Sequence, residues 1–79
     1  MKYVYIIRSL KNSDCYYTGI TDDLDARLLM RNAGEVKPTK AFIPWRIETY
    51  VGFQDSKKAF EFEKYLKSGS GRSFTKRHL

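Results

Sequence analysis

Cross-linking residues are nearly absent from this chain, and that constrains its fold more than any other property: 79 residues carry one cysteine, Cys15, and one histidine, His78. An internal disulfide needs a second thiol, and a structural zinc site needs several Cys or His ligands, so neither staple is open to it. A chain this short sits near the lower limit for an unaided hydrophobic core, which predicts one small domain spanning residues 1–79. Apolar residues make up 42% of the chain and aromatic residues 15%, dispersed among charges, which suffices for a packed globule and argues against disorder. The lone cysteine fits a reducing, cytoplasmic setting. The opening MKYVYIIRS has an apolar run too short for a signal-peptide core or a membrane span.

Along the chain, strand and helix signals alternate without repeats or low-complexity linkers. Tyr3 to Arg8 is rich in β-branched and aromatic residues, Lys11 to Asp14 is a turn cluster, and Cys15 to Ile20 is a second strand, which together predict a hairpin. Thr21 is the expected N-cap of a first helix, with Asp22 and Asp23 complementing its dipole and Leu24, Leu28 and Leu29 forming its apolar face until Asn32 to Gly34. Residues 35–44 hold both prolines and read as a loop. Trp45 to Phe53 alternates as a third strand paired against the hairpin, with Ile47, Thr49 and Val51 on one side. Asp55 or Ser56 caps a second helix running to Ser68, Gly69 is its C′ residue, Ser70-Gly71 is a flexible break, and Ser73 caps one last helical turn. The expected order is ββαβα plus a short C-terminal helical turn.

Within the second helix, Ala59, Phe62, Glu63 and Leu66 fall on one stripe, so a carboxylate occupies a core-facing position. An unpartnered buried carboxylate costs several kcal/mol, which implies a metal ion, a cation or an open cleft; a helix rotated by one residue, or a buried arginine partner, are the alternatives. Charge is uneven as well. Residues 1–55 carry eight Lys/Arg and seven Asp/Glu, net +1, whereas residues 56–79 carry seven and two, net +5. Lys64, Lys67, Arg72, Lys76 and Arg77 belong to that basic end, the pattern expected for holding a polyanion such as nucleic acid, although a solvated lysine-rich helix face has the same composition.

One histidine next to the C-terminus leaves no Ser-His-Asp triad and no histidine-rich zinc site, and no Walker or dinucleotide glycine pattern occurs. Tyrosines, arginines and Glu63 remain. Phosphodiester hydrolysis needs a base for the attacking water, a cation over the non-bridging oxygens and stabilisation of the leaving oxygen, which a tyrosine, an arginine and a carboxylate-held divalent ion can supply. Magnesium suits a site with few protein ligands. By strand alternation Tyr3, Tyr5 and Ile7 share one face and Cys15, Tyr17 and Gly19 another, so Tyr5 and Tyr17 can meet across the hairpin. Gly19 leaves a gap for a phosphate or a second backbone, or marks a β-bulge. Arg27 and Arg31 lie one helical turn apart, either clamping a phosphate or solvated.

Val4-Tyr5-Ile6, then Tyr17-Thr18-Gly19, then Arg27 and Glu63 on successive helices, resemble the GIY-YIG nuclease family from about Tyr3 to Lys67, and Leu66 to Arg72 (LKSGSGR) is similar to its small single-domain bacterial members. The resemblance implies an α+β fold, a three-stranded antiparallel sheet flanked by helices, and one-metal hydrolysis of DNA with Mg2+ or Mn2+. By the same resemblance Tyr5 or Tyr17 helps deprotonate the water, Arg27 stabilises the pentavalent phosphate, and Glu63 holds the ion that stabilises the leaving 3′ oxygen. A tyrosine titrates near pH ~10 in water, so serving as a base near neutrality needs cations around it. The chain departs from the family pattern twice. Arg31 stands where His or Tyr is usual, and arginine cannot accept a proton; the asparagine that often follows the metal glutamate is replaced by Ser70, Ser73 and Thr75. Two functions follow: a nuclease acting on single-stranded or structured DNA, in repair, recombination, uptake or defence, or a catalytically weak or inactive nucleic-acid-binding module of the same fold.

Overall fold

In the computed structural model, which describes residues 1–79, β1 (Lys2–Ser9) and β2 (Tyr16–Thr21) are followed by α1 (Leu24–Asn32), α2 (Lys37–Lys40), β3 (Trp45–Phe53), α3 (Ser56–Leu66) and α4 (Gly69–His78). The sheet is antiparallel with strand order β2-β1-β3. The apolar run Val4-Tyr5-Ile6-Ile7 explains why β1 is central: a strand covered on both faces reads as continuous hydrophobic sequence, and all four residues are buried. Val4 packs with Ala59 and Leu66 of α3 and with Phe62 and Phe74. Tyr5 and Ile7 pack on the other face with Trp45, Leu24 and Leu28. Helices α1 and α2 therefore cover one face of the sheet, and α3 and α4 the other.

The expected α+β architecture is borne out, with local corrections. Asp23, not Thr21, caps α1: its carboxylate accepts from Ala26 N at 3.0 Å, while the Thr21 hydroxyl accepts from Asp23 N at 3.2 Å. The segment read as a loop contains α2, which starts with Pro38 in its first turn, where a missing N–H costs nothing. Asp55 caps α3 as expected, accepting from Lys57 and Lys58 N. Phe42, just after α2, and Trp45, at the start of β3, pack in the core with Tyr5 and Ile7.

β3 pairs with β1 as Ile7 with Ile47 but Ile6 with Thr49, so the register slips by one residue at Glu48. Ile47 consequently lies on the Tyr5 face and Thr49 and Val51 on the opposite one, where simple alternation had put all three together. The displaced Glu48 receives Arg8 Nε at 2.6 Å and Nη2 at 3.0 Å. This two-pronged bond holds the Glu48 carboxyl below its usual 4.5, against an opposing effect of burial. Because the folded-state value is depressed, the pair stabilises above that usual value and the stabilisation disappears as pH falls through the lower one. Glu48→Gln is expected to cost about 1 kcal/mol in urea unfolding at neutral pH, and the gap from wild type should close in acid well below 4.5.

The C-terminal end differs most from expectation. Ser70-Gly71 is not a break and the tail is not a single turn: α4 runs for ten residues, opened by Ser68, whose hydroxyl accepts from Gly71 N at 3.1 Å. Gly71 is buried at the crossing with α3, and a Cβ there would overlap the Tyr65 carbonyl oxygen. Absence of that side chain lets the two helices touch. Phe74 then reaches the Tyr65 ring at 6.2 Å between centroids.

Candidate functional site

Tyr5 on β1 lies opposite Gly19 on β2, and Tyr17 lies opposite Ile7, one pair further along the same face. A Cβ at Gly19 would overlap the hydroxyl end of the Tyr5 ring, so the phenol fills the gap. The expectation of a phosphate, a second backbone or a bulge at Gly19 is corrected accordingly; the β1–β2 pairing is unbroken there. Tyr5 itself is 2% exposed.

Above the phenol, α1 contributes Arg31, which is 4% exposed. Arg31 Nε donates to Tyr5 Oη at 3.1 Å and Nη1 to Thr39 Oγ1 at 3.2 Å. Its guanidinium stacks 4.2 Å from the centre of the Tyr17 ring. Thr39 is held in turn, since its carbonyl accepts from Trp45 Nε1 at 2.7 Å, and Trp45 N and O are both bonded by the Asn32 side chain at 2.6 and 3.0 Å. Thus α1, α2 and the start of β3 form a cage around one cation. The chain's ion pairs are Lys2–Asp22, Arg8–Glu48, Arg46–Glu48 and Lys67–Glu63, so Arg31 has no acid partner. A buried charge without a counter-ion costs several kcal/mol, of which two hydrogen bonds and an aromatic face offset only part. Arg31 is neither solvated nor free to clamp a phosphate as an extended side chain. Arg27, one turn earlier and half-buried, lines the hollow between α1 and the sheet with Tyr5 and Arg31, and it too has no ion pair.

On the other side of β2, the Glu63 side chain is 18% exposed and its Oε2 pairs with Lys67 Nζ at 2.9 Å. Helix α3 is not rotated, because Ala59 and Leu66 of the same stripe are buried; nor is the partner a buried arginine. Lys67 Nζ is also 5.4 Å from the centre of the Tyr17 ring. Arg31, Tyr17, Lys67 and Glu63 therefore form one continuous line of contacts from α1 around β2 to α3. Among the basic residues, Lys67 and Arg72 come together on a groove beside β2, whereas Lys64, Lys76 and Arg77 are exposed outside it. Of the residues that stand in for the missing asparagine, Ser70 and Ser73 are exposed and Thr75 is buried, donating to Gly71 O at 3.0 Å.

With this geometry in hand, comparison with known families gives a clear result: the family model described as the GIY-YIG catalytic domain matches residues 1–77. The chain belongs to that family. No curated protein and no solved structure matches it. As a GIY-YIG domain it is placed among nucleases, which act on nucleic acid and typically use a divalent metal. This domain has no grouping of three His, Cys, Asp or Glu side chains that could cage an ion. A single half-enclosed carboxylate nevertheless fits Mg2+, which keeps most of its waters and takes phosphate oxygens, whereas it does not fit zinc or a calcium cage. Lys67 now sits on that carboxylate as its counter-ion. Thr39 and Asn32 are not legible in the sequence as parts of the site. Thr39 falls in the segment read as loop, and no local signal marks a residue whose role is to hold another side chain.

Proposed function

We propose that this GIY-YIG domain is a metal-dependent endonuclease that hydrolyses DNA phosphodiester bonds, with single-stranded or structured DNA as substrate. One observation carries the proposal: two guanidiniums, Arg27 beside Tyr5 and Arg31 against both Tyr5 and Tyr17, have no acid to neutralise them, while a half-enclosed Glu63 is reached from Tyr17 through Lys67. Such a site is short of negative charge, and a phosphodiester supplies it.

The water oxygen bonds to phosphorus as the P–O3′ bond breaks, and its proton passes to a phenolic oxygen. Tyr17 suits that part, since it is half-buried on the groove side, whereas Tyr5 is enclosed and its oxygen already accepts from Arg31. Tyr17 takes that proton as its phenolate, whose negative charge meets Arg31 and Lys67, both against its ring, and which is left as the neutral phenol. Tyr5 and Thr39 are positioning residues that fix Arg31, and Arg27 faces the non-bridging oxygens. Glu63 would hold Mg2+ or Mn2+, which would supply positive charge for the leaving 3′ oxygen. With an ion on Glu63, Lys67 would be free of its pair with that carboxylate and would join Lys64, Arg72, Lys76 and Arg77 in holding the backbone.

Arg31 supports a second reading. It occupies the usual proton-accepting position and is locked in place, as a catalytically weak or inactive DNA-binding module would tolerate. Purified protein incubated with single- and double-stranded DNA separates the two. Cleavage that appears with Mg2+ or Mn2+ and stops with chelator is expected of the nuclease; binding without cleavage under every condition identifies the module.

A further inference from the structure

β2 is an edge strand, and the groove of about 460 Å3 beside it is bordered by Tyr16, Tyr17, Thr18, Leu66, Lys67 and Arg72. Neighbouring residues of a strand point to opposite faces, so a groove that touches both Tyr16 and Tyr17 wraps around the strand's open edge. It connects the Tyr17–Arg31 side of the sheet with the side covered by α3 and α4. Its lining carries two cations and no carboxylate. Its size falls within the roughly 300–1,000 Å3 typical of pockets for small ligands.

Tyr16 is built as a rigid platform. The Arg8 guanidinium lies 5.4 Å from the centre of its ring. Arg8 is itself immobilised by Glu48 at 2.6 and 3.0 Å and by the Ser13 carbonyl at 2.7 Å. A cation fixed by three bonds beneath an aromatic ring at the mouth of a basic groove does nothing for the Tyr17 site. It is, however, the arrangement that stacks nucleobases while lysine and arginine hold the phosphates.

We infer that this groove is a single-nucleotide subsite: the nucleotide next to the scissile phosphodiester crosses the β2 edge, its phosphate on Lys67 and Arg72 and its base stacked against Tyr16. This rests on the nuclease reading for the position of the scissile bond, and it narrows the substrate class. A base inside a duplex has both faces covered by its neighbours, so only a single-stranded or unpaired nucleotide can use the platform.

The test is fluorescence anisotropy in chelator, so that no cleavage intervenes, with a labelled oligothymidylate and an abasic deoxyribose-phosphate oligomer of equal length and charge. Wild-type protein is expected to bind the oligothymidylate about tenfold more tightly than the abasic strand. Tyr16→Leu should lose that preference while keeping its affinity for the abasic strand, and Tyr16→Phe should restore it. Arg72→Gln should weaken both probes alike. Equal wild-type affinity for the two probes, or a Tyr16→Leu loss that is the same on both, overturns the subsite; the wild-type comparison decides even if Tyr16→Leu does not fold. Base-dependent binding without cleavage in any metal removes the nuclease reading and leaves the subsite standing. Cleavage with binding indifferent to Tyr16 does the reverse.

Discussion

Arg31→Met is expected to leave the domain as stable as wild type to within about 1 kcal/mol, or slightly more stable, while cutting DNA cleavage by a factor of about 100 to 1,000. A guanidinium enclosed without an acid partner contributes little net stability, because the cost of taking it out of water is set against two hydrogen bonds to uncharged hydroxyls and a ring face. Methionine fills similar space and removes the charge. The Tyr5 and Thr39 oxygens lose a donor but keep their own hydroxyl protons. Arg31→Ala is different, since it opens a cavity among Tyr5, Tyr17 and Thr39 and should cost roughly 2–4 kcal/mol. Urea unfolding beside single-turnover cleavage reads both effects. A stable but inactive methionine variant identifies a charge kept for its chemistry at the expense of stability. If instead Met destabilises as much as Ala and cleavage follows folding, Arg31 is structural. Arg31→His supplies the proton acceptor usual at this position, and cleavage well above wild type in that variant would show arginine to be a handicap.

Gly71→Ala should destabilise by about 3 kcal/mol, against the ordinary sense of the substitution. In an unobstructed helix, exchanging glycine for alanine gains about 0.5–1 kcal/mol. At Gly71 the new Cβ meets the Tyr65 carbonyl and the Leu66 Cα, and backbone cannot step aside as a side chain can. Nothing lies within 4 Å of a Cβ built at Gly69, two residues earlier in the same helix. Gly69→Ala is therefore the matched control, expected to be neutral or stabilising. Thermal or urea unfolding of the pair isolates the helix crossing from helix propensity. Because α4 carries Arg72 to the groove opposite Lys67, the Gly71 variant should also lose DNA affinity. Equal stability of the two variants would mean that α4 does not rest on α3 as described.

How far these features were legible in the sequence follows from where their signals reside. The hairpin, α1, β3 and α3 rest on local patterns, such as the unbroken Val4 to Ile7 run and the Ala59, Phe62, Leu66 stripe, and each lies where those patterns put it. Glu63 stood out as a carboxylate in an apolar stripe, and the chain does give it a cation in Lys67. α4 was hidden because Ser-Gly-Ser-Gly reads as a breaker; a serine cap and a tertiary contact with Tyr65 turn the same residues into a helix start. The slip at Glu48 was equally hidden, since a one-residue insertion leaves alternation looking regular until the partner strand is known. Arg31 is the sharpest case. An arginine on an amphipathic helix ordinarily faces water, and only two tyrosines from different strands and a threonine from α2 bury it.

The proposed nuclease needs Glu63 to bring a divalent ion to a phosphodiester that lies against Tyr17 and faces Arg27. Single-turnover cleavage of a single-stranded oligonucleotide, titrated with Mg2+ for wild type and Glu63→Gln, tests it most directly. Wild type is expected to show saturable, metal-dependent cleavage that leaves 3′-hydroxyl and 5′-phosphate ends, with a loss of at least about a hundredfold in the folded variant. Equal rates in the two proteins at every Mg2+ concentration would contradict it.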